Sequence, residues 1–201
     1  VSILGATGSV GCTTVDVIEA ARAQGEIDCE IEAITAHTRV DELIELALRV
    51  RPQFAAIADE ALGPRLRAAL APHGIATGAG VSAIVEAAAR PADWVMAAIV
   101  GTAGLRPTLE AVRRGATVAL ANKECLVSAG ACFMREARAS GATVLPVDSE
   151  HNAIFQLFDF KDPESVEKLI LTASGGPFRK LSREEMLRVT RPGGRLVVCE
   201  F

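Results

Sequence analysis

Short apolar runs alternate along the chain with longer segments in which apolar side chains recur at helical spacing. The runs predict strands over residues 1–5, 30–36, 54–59, 94–100, 117–122, 143–148 and 168–174. The periodic segments predict helices over residues 9–23, 39–50, 60–72, 82–90, 104–114, 125–140 and 150–158. Strands that alternate with helices indicate βαβ units, in which helices cover both faces of a parallel sheet. The pattern therefore predicts an α/β fold built on a doubly wound parallel sheet.

The first predicted strand leads into a glycine-rich turn with the spacing GxxGxxG. In such a turn Gly5 would allow the tight bend, Gly8 would let the backbone approach a pyrophosphate, and Gly11 would let the helix pack on the strand. The same pattern could also close a strand–helix junction that binds nothing. At the first junction of a βαβ unit we interpret it as a dinucleotide-binding turn of a Rossmann-like fold. Its candidate cofactor residues are Thr7, Gly8, Ser9 and Val10.

The end of the second predicted strand distinguishes NAD from NADP. In an NAD site an acidic residue there would hold the ribose 2′-hydroxyl. This strand instead leads into His37, Thr38 and Arg39, and the first carboxylate is Asp41. A cation and a hydroxyl suit a 2′-phosphate, so the sequence favours NADP. Arg39 could alternatively be a solvated charge near a helix start, and His37 an ordinary polar residue of the turn.

Three further strand ends carry candidate chemistry. The small residues of 101–104 would admit a flat nicotinamide ring, or would serve only sheet–helix packing. Lys123 could bind a substrate oxygen or phosphate beside Glu124, although such a pair is often an exposed helix start. Ser174, followed by two glycines, resembles a small phosphate-binding turn, or an ordinary Gly-Pro turn.

The strand that ends near residue 148 is followed by an unusual polar cluster. Asp148 and Glu150 could share one hard divalent cation such as Mg²⁺ or Mn²⁺, with the Ser149 hydroxyl facing substrate. The competing interpretation is a helix N-cap, in which Asp148 or Ser149 accepts a backbone N–H. His151 is a weaker candidate ligand because these ions prefer oxygen. Pro146 argues against a central position for the strand.

The composition bounds the size and the class of the protein. The 201 residues are 50% hydrophobic, which is enough for one large domain or for one domain and part of a second. The formal net charge is −4, without a Lys/Arg cluster, and the aromatic residues include one Trp and no Tyr. A nucleic-acid-binding surface is therefore not expected.

The cysteines and the apolar segments bear on location. The five cysteines show neither CxxC nor zinc spacing, so we expect reduced thiols. No apolar stretch is long enough to cross a bilayer, and the start of the chain does not resemble a signal peptide. We expect a cytoplasmic protein of bacterial type whose sequence is incomplete at its start, since it lacks an initiator Met.

Taken together and in this order, five segments resemble the 1-deoxy-D-xylulose 5-phosphate reductoisomerase family. They are LGATGSVG, VMAAIVGTAGL, LANKE, LPVDSEHNAIFQ and LTASGGPFR. The resemblance runs from residue 3 to residue 179, and DSEHNAIFQ and SGGPFR are its most specific parts. It implies a Rossmann-like NADP-binding domain over residues 1–142, followed over 143–201 by the start of an α+β catalytic domain.

The resemblance also implies a reaction and its residues. NADPH and Mg²⁺ or Mn²⁺ would serve the conversion of a phosphorylated keto-sugar, 1-deoxy-D-xylulose 5-phosphate, to 2-C-methyl-D-erythritol 4-phosphate, an isoprenoid precursor of the non-mevalonate pathway. The family suggests a homodimer. The implied cofactor residues are Thr7, Gly8, Ser9, Val10, His37, Thr38, Arg39, Asn122 and Glu124. The implied substrate residues are Lys123, Ser149, Glu150 and Ser174, the metal ligands are Asp148 and Glu150, and the catalytic residues are Asp148, Glu150 and Lys123.

Two segments depart from the family pattern. Residues 37–39 stand where the family usually has Gly, then Lys or Arg, then Asn. Residues 191–201 are unlike the family, and the expected HPNW-like lid and third metal carboxylate are not found. We therefore expect a truncated chain that folds and binds NADPH but turns over poorly alone. Two alternatives are a Rossmann oxidoreductase of the semialdehyde or homoserine dehydrogenase type, and an NADP-binding module without catalysis.

Overall fold

A computed structural model of the chain describes residues 1–158, 160–165 and 168. Its centre is a seven-stranded sheet in the order β4-β3-β2-β1-β5-β6-β7, and every neighbouring pair is parallel. The strands are β1 (Ser2–Leu4), β2 (Ala33–Ala36), β3 (Phe54–Ile57), β4 (Ala76–Ala79), β5 (Trp94–Ala97), β6 (Thr117–Leu120) and β7 (Thr143–Pro146). The strand order reverses between β1 and β5, which is where open α/β sheets bind ligands. The predicted doubly wound α/β fold is confirmed.

The helices connect successive strands. They are α1 (Ser9–Ala23), α2 (Val40–Val50), α3 (Gly63–Leu70), α4 (Val81–Ala89), α5 (Leu105–Arg113), α6 (Glu124–Ser140) and α7 (Ser149–Leu157). Short 3₁₀ turns occur at Glu60–Leu62, Ala71–His73, Thr102–Gly104 and Pro163–Ser165. The helix predicted over 60–72 is thus an α-helix flanked by two 3₁₀ turns. All other predicted helices within the described residues match to within one residue at each end.

The sequence pattern did not predict β4. Its residues Ala76, Thr77, Gly78 and Ala79 are small, so they carry little of the apolar signal that marks a strand. The strand lies at the sheet edge and pairs only with β3. Small size is required there, because a Cβ on Gly78 would lie 2.7 Å from the Phe54 ring.

Two apolar cores cover the two faces of the sheet. Adjacent strand residues point to opposite faces, so Ile3 lies in one core and Leu4 in the other. The first core includes α1, α2 and α3 through buried residues such as Val15 and Leu43. The second includes α4, α5 and α6, with the fully buried Phe133. The five inner strands are therefore buried on both sides, as near-continuous apolar sequences such as those of β5 and β6 predict, whereas the edge strands β4 and β7 are only partly buried.

The chain divides into two compact units, Val1–Phe155 and Gln156–Phe201. Within the first unit, β7 forms the sheet edge opposite β4, and its last residue, Pro146, pairs with Leu120. This edge position agrees with the expectation drawn from Pro146. The strand predicted over 168–174 lies outside the described residues. None of the described helices is long and apolar enough to cross a membrane.

Candidate functional site

The glycine turn after β1 is held between two neighbouring strands. The backbone N–H of Gly5 donates to Thr35 Oγ1 at 2.9 Å, and that of Ala6 donates to the Thr35 carbonyl at 2.8 Å. Gly5 has a φ of +88°, and a Cβ there would lie 2.8 Å from the Ala98 carbonyl oxygen. Only glycine fits both the backbone conformation and the close approach to the end of β5. The turn is therefore fixed at the point where the strand order reverses.

The start of α1 leaves backbone donors available. Gly8 is the N-cap residue, and no side chain in the described part of the chain caps this helix. A Cβ on Gly11 would collide with the Gly5 carbonyl oxygen and lie 2.6 Å from Ala6 Cα, which confirms its predicted role in close helix packing. Ser9 and Val10 are exposed beside these donors. A helix N-terminus with open N–H groups suits an anion such as a pyrophosphate.

Arg39 joins the end of β2 to the same turn. Its Nη1 donates to the Thr7 carbonyl oxygen at 3.1 Å, while the residue as a whole stays exposed. His37 and Thr38 are exposed beside it. A guanidinium carries five N–H donors, so the Thr7 contact leaves others for an anion. The structure thus brings together Thr7 and Arg39, which the sequence separates by a whole βα unit.

Asn122 links the ends of β5 and β6. Its side chain is 2% exposed, and its Nδ2 donates to the carbonyl oxygens of Ile99 and Gly101, the latter at 2.8 Å. Its Oδ1 accepts the backbone N–H of Glu124 at 2.9 Å. The buried amide therefore fixes the loop that follows β5 to the first turn of α6.

The small residues that follow β5 have different roles. Gly101 has a φ of +70° and open space around its Cα, so it serves the turn and leaves its surface clear. A Cβ on Gly104 would collide with Asn122 Nδ2, so Gly104 serves packing. The packing interpretation is confirmed at Gly104, and the nicotinamide interpretation of this segment stays a prediction.

The exposed Lys123 and the partly buried Glu124 form a corner next to a buried thiol at the start of α6. Lys123 is exposed at the start of α6 and belongs to none of the ion pairs found in the described part of the chain. Cys125 lies beneath them and is fully buried. Burial raises the pKa of the Cys125 thiol, the nearby Glu124 charge adds to the rise, and a hydrogen bond with Thr108 only partly opposes it. Cys125 is therefore a buried packing group whose thiol stays neutral, whereas Lys123 is exposed.

Asp148 caps α7. Its Oδ1 accepts the backbone N–H of His151 at 3.1 Å and lies 2.6 Å from His151 Nδ1. Partial burial opposes its charged form, but the hydrogen bonds from His151 and the charges of His151 and Lys123 outweigh that effect. The pKa of Asp148 therefore lies below its usual value. Lys123 and Asp148 follow β6 and β7, which are neighbouring parallel strands, so both lie at the carboxyl ends of adjacent strands.

Asp148 and Glu150 offer carboxylate oxygens, which are the kind of ligand atom that a hard cation prefers. Both are partly buried carboxylates at the carboxyl edge of the sheet, and Asp148 retains Oδ2 beyond the oxygen that His151 uses. Mg²⁺ is often held by one or two carboxylates together with water and substrate oxygens. Within the described residues, no group of three or more His, Cys, Asp and Glu side chains could hold a metal. The cap and ligand interpretations are therefore compatible, since they use different oxygens of Asp148.

The remaining candidates are Ser149 and Ser174. Ser149 is exposed in the first turn of α7, and Ser174 lies outside the described residues. The residue that sequence reasoning missed is Thr35, a 1% exposed hydroxyl that accepts the Gly5 N–H. Its position as the polar residue of AITA, the four residues of β2, was the signal that could have identified it.

Two family models match the chain. The model described as 1-deoxy-D-xylulose 5-phosphate reductoisomerase matches residues 1–130. The model described as the C-terminal domain of that reductoisomerase matches residues 144–193. Both matches have the order expected from the sequence motifs.

Curated relatives carry the same description. The protein of Rhodospirillum centenum is 57% identical over 190 residues, and that of Afipia carboxidovorans is 55% identical over 190 residues. Each match covers 94% of this chain and 46% of the relative. The chain thus spans about half the length of the curated relatives it matches.

Solved structures of reductoisomerases are also similar to this chain in fold and in sequence. The reductoisomerase from Zymomonas mobilis in complex with NADPH matches with a TM-score of 0.81 and 50% identity, covering 94% of this chain and 49% of that chain. A reductoisomerase in complex with NADPH, fosmidomycin and magnesium matches with a TM-score of 0.78 and 37% identity, covering 94% and 48%.

Proposed function

The chain belongs to the 1-deoxy-D-xylulose 5-phosphate reductoisomerase family. From this membership we propose its activity. The reaction is the NADPH-dependent, divalent-metal-dependent rearrangement and reduction of 1-deoxy-D-xylulose 5-phosphate to 2-C-methyl-D-erythritol 4-phosphate. The observation that carries the proposal is the meeting of three groups at one edge of the sheet. They are the glycine turn, the Lys123–Glu124 corner and the Asp148–Glu150 pair.

NADPH is the proposed cofactor. The NADPH complex of the Zymomonas mobilis relative supports it, as does the open start of α1 beside Thr7, Gly8, Ser9 and Val10. Arg39 would bind the 2′-phosphate, because its guanidinium already lies against the carbonyl of Thr7. His37 and Thr38 are exposed at the same strand end and complete this part of the proposed site. Asn122 and Glu124 would belong to the nicotinamide side.

Substrate would bind at the ends of β6 and β7. The exposed ammonium of Lys123 would bind a substrate oxygen or phosphate, with Ser149, Glu150 and Ser174 as further substrate contacts. Asp148 and Glu150 would hold Mg²⁺ or Mn²⁺ through their carboxylate oxygens, the kind of ligand atom that these ions prefer. The reductoisomerase complexes that contain magnesium support this choice of metal.

The chemistry divides between the bound groups and the chain. When bound, the metal ion would polarise the carbonyl and neighbouring hydroxyl of the substrate, and NADPH would supply the hydride. The keto-sugar skeleton rearranges to a branched aldehyde, which takes up that hydride and a proton from solvent to give the alcohol product and NADP⁺. The residues of the chain orient the reactants, so that Lys123 and the acidic pair lie on the substrate side and the glycine turn on the cofactor side.

Three finer points belong to the same proposal. We place the boundary between the cofactor domain and the catalytic domain after residue 142, which the C-terminal family match from residue 144 supports. The whole protein would be a homodimer, and light scattering would measure this. Its location would be the bacterial cytoplasm, and fractionation of the source cells would test that.

The test is NADPH binding and NADPH consumption by the purified chain with 1-deoxy-D-xylulose 5-phosphate and Mg²⁺. Metal-dependent consumption that is lost in Asp148→Asn would support the full proposal. The matched control is Asp93→Asn, because Asp93 is exposed just before β5, at the amino ends of the strands and away from the proposed site. NADPH binding without consumption would fit either a reductoisomerase chain that turns over poorly alone or a binding module, and adding the family's downstream segment would restore consumption only in the first case. Absence of NADPH binding would contradict the proposal.

A further inference from the structure

A cleft of about 280 Å³ lies between α1 and α2, next to the glycine turn. Its lining comes from the turn, from the start of α1 and from one face of α2: Thr7, Cys12, Glu42, Glu45, Leu46 and Arg49. We propose that this cleft is a modification site, in which Cys12 forms a mixed disulfide with a small cationic thiol compound. The adduct weakens NADPH binding at the adjoining turn, a consequence that rests on the proposed function.

Cys12 supplies the reacting atom of the cleft. The residue is exposed, and its thiol donates a hydrogen bond to the Ala6 carbonyl oxygen, with Sγ at 3.5 Å. The sulfur therefore lies beside the peptide bond that joins Ala6 to Thr7. An exposed thiol can meet a disulfide directly, whereas a buried thiol must first be uncovered. Cys12 thus combines access for a reagent with a place in a cleft that could hold the attached group.

Thr7 offers a polar group inside the same cleft. The residue is 9% exposed, and its Oγ1 makes no hydrogen bond within the described residues. Its backbone carbonyl accepts a hydrogen bond from Arg39 Nη1 at 3.1 Å, so the residue is held in place while its hydroxyl stays unpartnered. A hydroxyl oxygen can accept an N–H from an ammonium group. The hydroxyl of Thr7 is therefore a ready partner for an amine bound beside Cys12.

The rim of the cleft carries an excess of negative charge. Glu42 and Glu45 are exposed on α2, and neither joins an ion pair in the part of the chain that the structure describes. Arg49 also lines the cleft, but it already contacts Asp16 and Glu19 on α1 at 3.4 and 3.3 Å. Such a rim attracts an ammonium group and repels phosphate. The cleft is therefore distinct in its chemistry from the proposed binding site of the NADPH phosphates.

The covalent step is a thiol–disulfide exchange with a cationic disulfide such as cystamine. The Cys12 thiol gives its proton to water, and its sulfur attacks one sulfur of the reagent. A new S–S bond forms at Cys12 Sγ as the S–S bond of the reagent breaks, and the departing aminothiolate takes up a proton. Cys12 is oxidised and the departing sulfur is reduced, so the disulfide itself is the oxidant. The ammonium of the attached half is two carbon atoms from the new bond and remains near the acidic rim.

The adduct acts on the glycine turn through two contacts. The modified sulfur no longer carries a proton, so the hydrogen bond to the Ala6 carbonyl is lost. The attached group also shares the cleft with Thr7, whose carbonyl holds Arg39. Ala6 and Thr7 lead directly into Gly8, the N-cap of α1. We therefore expect the adduct to raise the Kd for NADPH about fivefold.

The first experiment compares a cationic and a neutral disulfide in the 201-residue chain. Cystamine and bis(2-hydroxyethyl) disulfide have the same carbon chain, and timed peptide mapping by mass spectrometry gives the rate of each at every cysteine. Cys132 is the internal reference, because Arg135 Nη2 lies 3.4 Å from its Sγ and places a cation beside it. The intrinsic reactivities of the two reagents cancel in this comparison. The preference for cystamine should be about tenfold larger at Cys12 than at Cys132.

A charge variant tests whether the rim causes this preference. Glu45→Gln keeps the size of the side chain and removes one charge, so the preference at Cys12 should fall about threefold. Glu45 is chosen because Glu42, in the first turn of α2, also suits the positive end of the helix. Glu26→Gln is the matched control, since Glu26 is exposed beyond the other end of α1. Equal preferences at Cys12 and Cys132, or an unchanged preference in Glu45→Gln, would overturn the modification site.

The second experiment measures NADPH binding after cystamine treatment. The treated chain should bind NADPH about fivefold more weakly, dithiothreitol should reverse the change, and treated Cys12→Ser should show no change. An unchanged Kd in the treated chain would overturn the link to the glycine turn. Failure of the untreated chain to bind NADPH would instead overturn the proposed function. The first experiment requires no NADPH, so it decides the modification site in either case.

Discussion

The glycine turn after β1 and the side chains at the ends of β6 and β7, such as Asn122 and Asp148, reach a fixed geometry in different ways. The turn is set by backbone conformation, because Gly5 and Gly11 allow contacts that a Cβ would prevent. The corner is set by side chains that bridge strand ends, such as Asn122 to the carbonyl of Ile99. The first kind of geometry requires glycines that lie within a few residues of one another, although Gly5 also approaches Ala98 at the end of β5. The second exists only after β5, β6 and β7 have come together.

The largest effect is expected at the backbone-built turn. Gly11→Ala places a Cβ 2.6 Å from Ala6 Cα, where only backbone could move to relieve it. We expect a loss of about 2–3 kcal/mol in the free energy of unfolding and loss of NADPH binding. Denaturant unfolding and ligand titration would measure both. Gly130→Ala is the control, since a Cβ there meets nothing within 4 Å, and an effect of equal size in it would refute this explanation.

The two regions should also differ in thiol reactivity. Cys12 is exposed in the first turns of α1, whereas Cys125 is fully buried and burial raises its pKa. Because thiolates react and buried thiols must first be uncovered, Cys125 should react about a hundredfold more slowly than Cys12. Peptide mapping by mass spectrometry after timed alkylation gives the two rates. Comparable rates would mean that the Cys125 thiol becomes accessible to the reagent as readily as the exposed Cys12 thiol.

The selection of NADP over NAD should depend on Arg39. Arg39→Ala removes the guanidinium beside Thr7, so the Kd for NADPH should rise about tenfold while the Kd for NADH stays nearly constant. Calorimetric titration with both cofactors is the measurement. Arg49→Ala is the matched control, because Arg49 forms exposed ion pairs with Asp16 and Glu19 on α1. Parallel weakening of NADPH and NADH would contradict the assignment.

The smallest effect concerns the cap of α7. The pKa of Asp148 is lowered in the folded chain, so its stabilising contribution is present above the usual carboxylate pKa and is lost as the pH falls through the lowered value. His151→Ala removes the ring that contributes to this shift. We expect a loss below about 1 kcal/mol at pH 7 that shrinks in acid. Denaturant unfolding at several pH values would show it, and a pH-independent loss would assign the effect to packing.

The sequence predicts elements well where the apolar signal is strong. The strands that became β5 and β6 are near-continuous apolar runs, and both lie at the predicted places. β4 was missed because Ala76 to Ala79 satisfy a packing need for small residues, which periodicity does not register. The helix predicted over 60–72 is shorter, since 3₁₀ turns flank it.

The sequence predicted where the candidate site residues lie better than it predicted which contacts they make. Reading each strand end located Lys123 and Asp148, because parallel strands deliver their carboxyl ends to one edge. The burial of Asn122 and the Thr35 contact with the turn depend on residues distant in sequence, which no local pattern shows. The cap at Asp148 is local, and it is one of the two interpretations that the sequence offered.

The strand order has a consequence for how the sheet is assembled during synthesis. β1 pairs on one side with β2, through Ile3 and Ile34, and on the other with β5, through Ile3 and Met96. Pairing across a large sequence separation is slow, so the β4-β3-β2-β1 half can form on the ribosome before β5 has emerged. The turn after β1 would then gain its contact with Ala98 only in the second stage. The glycine turn would thus be present early in the nascent chain but completed late.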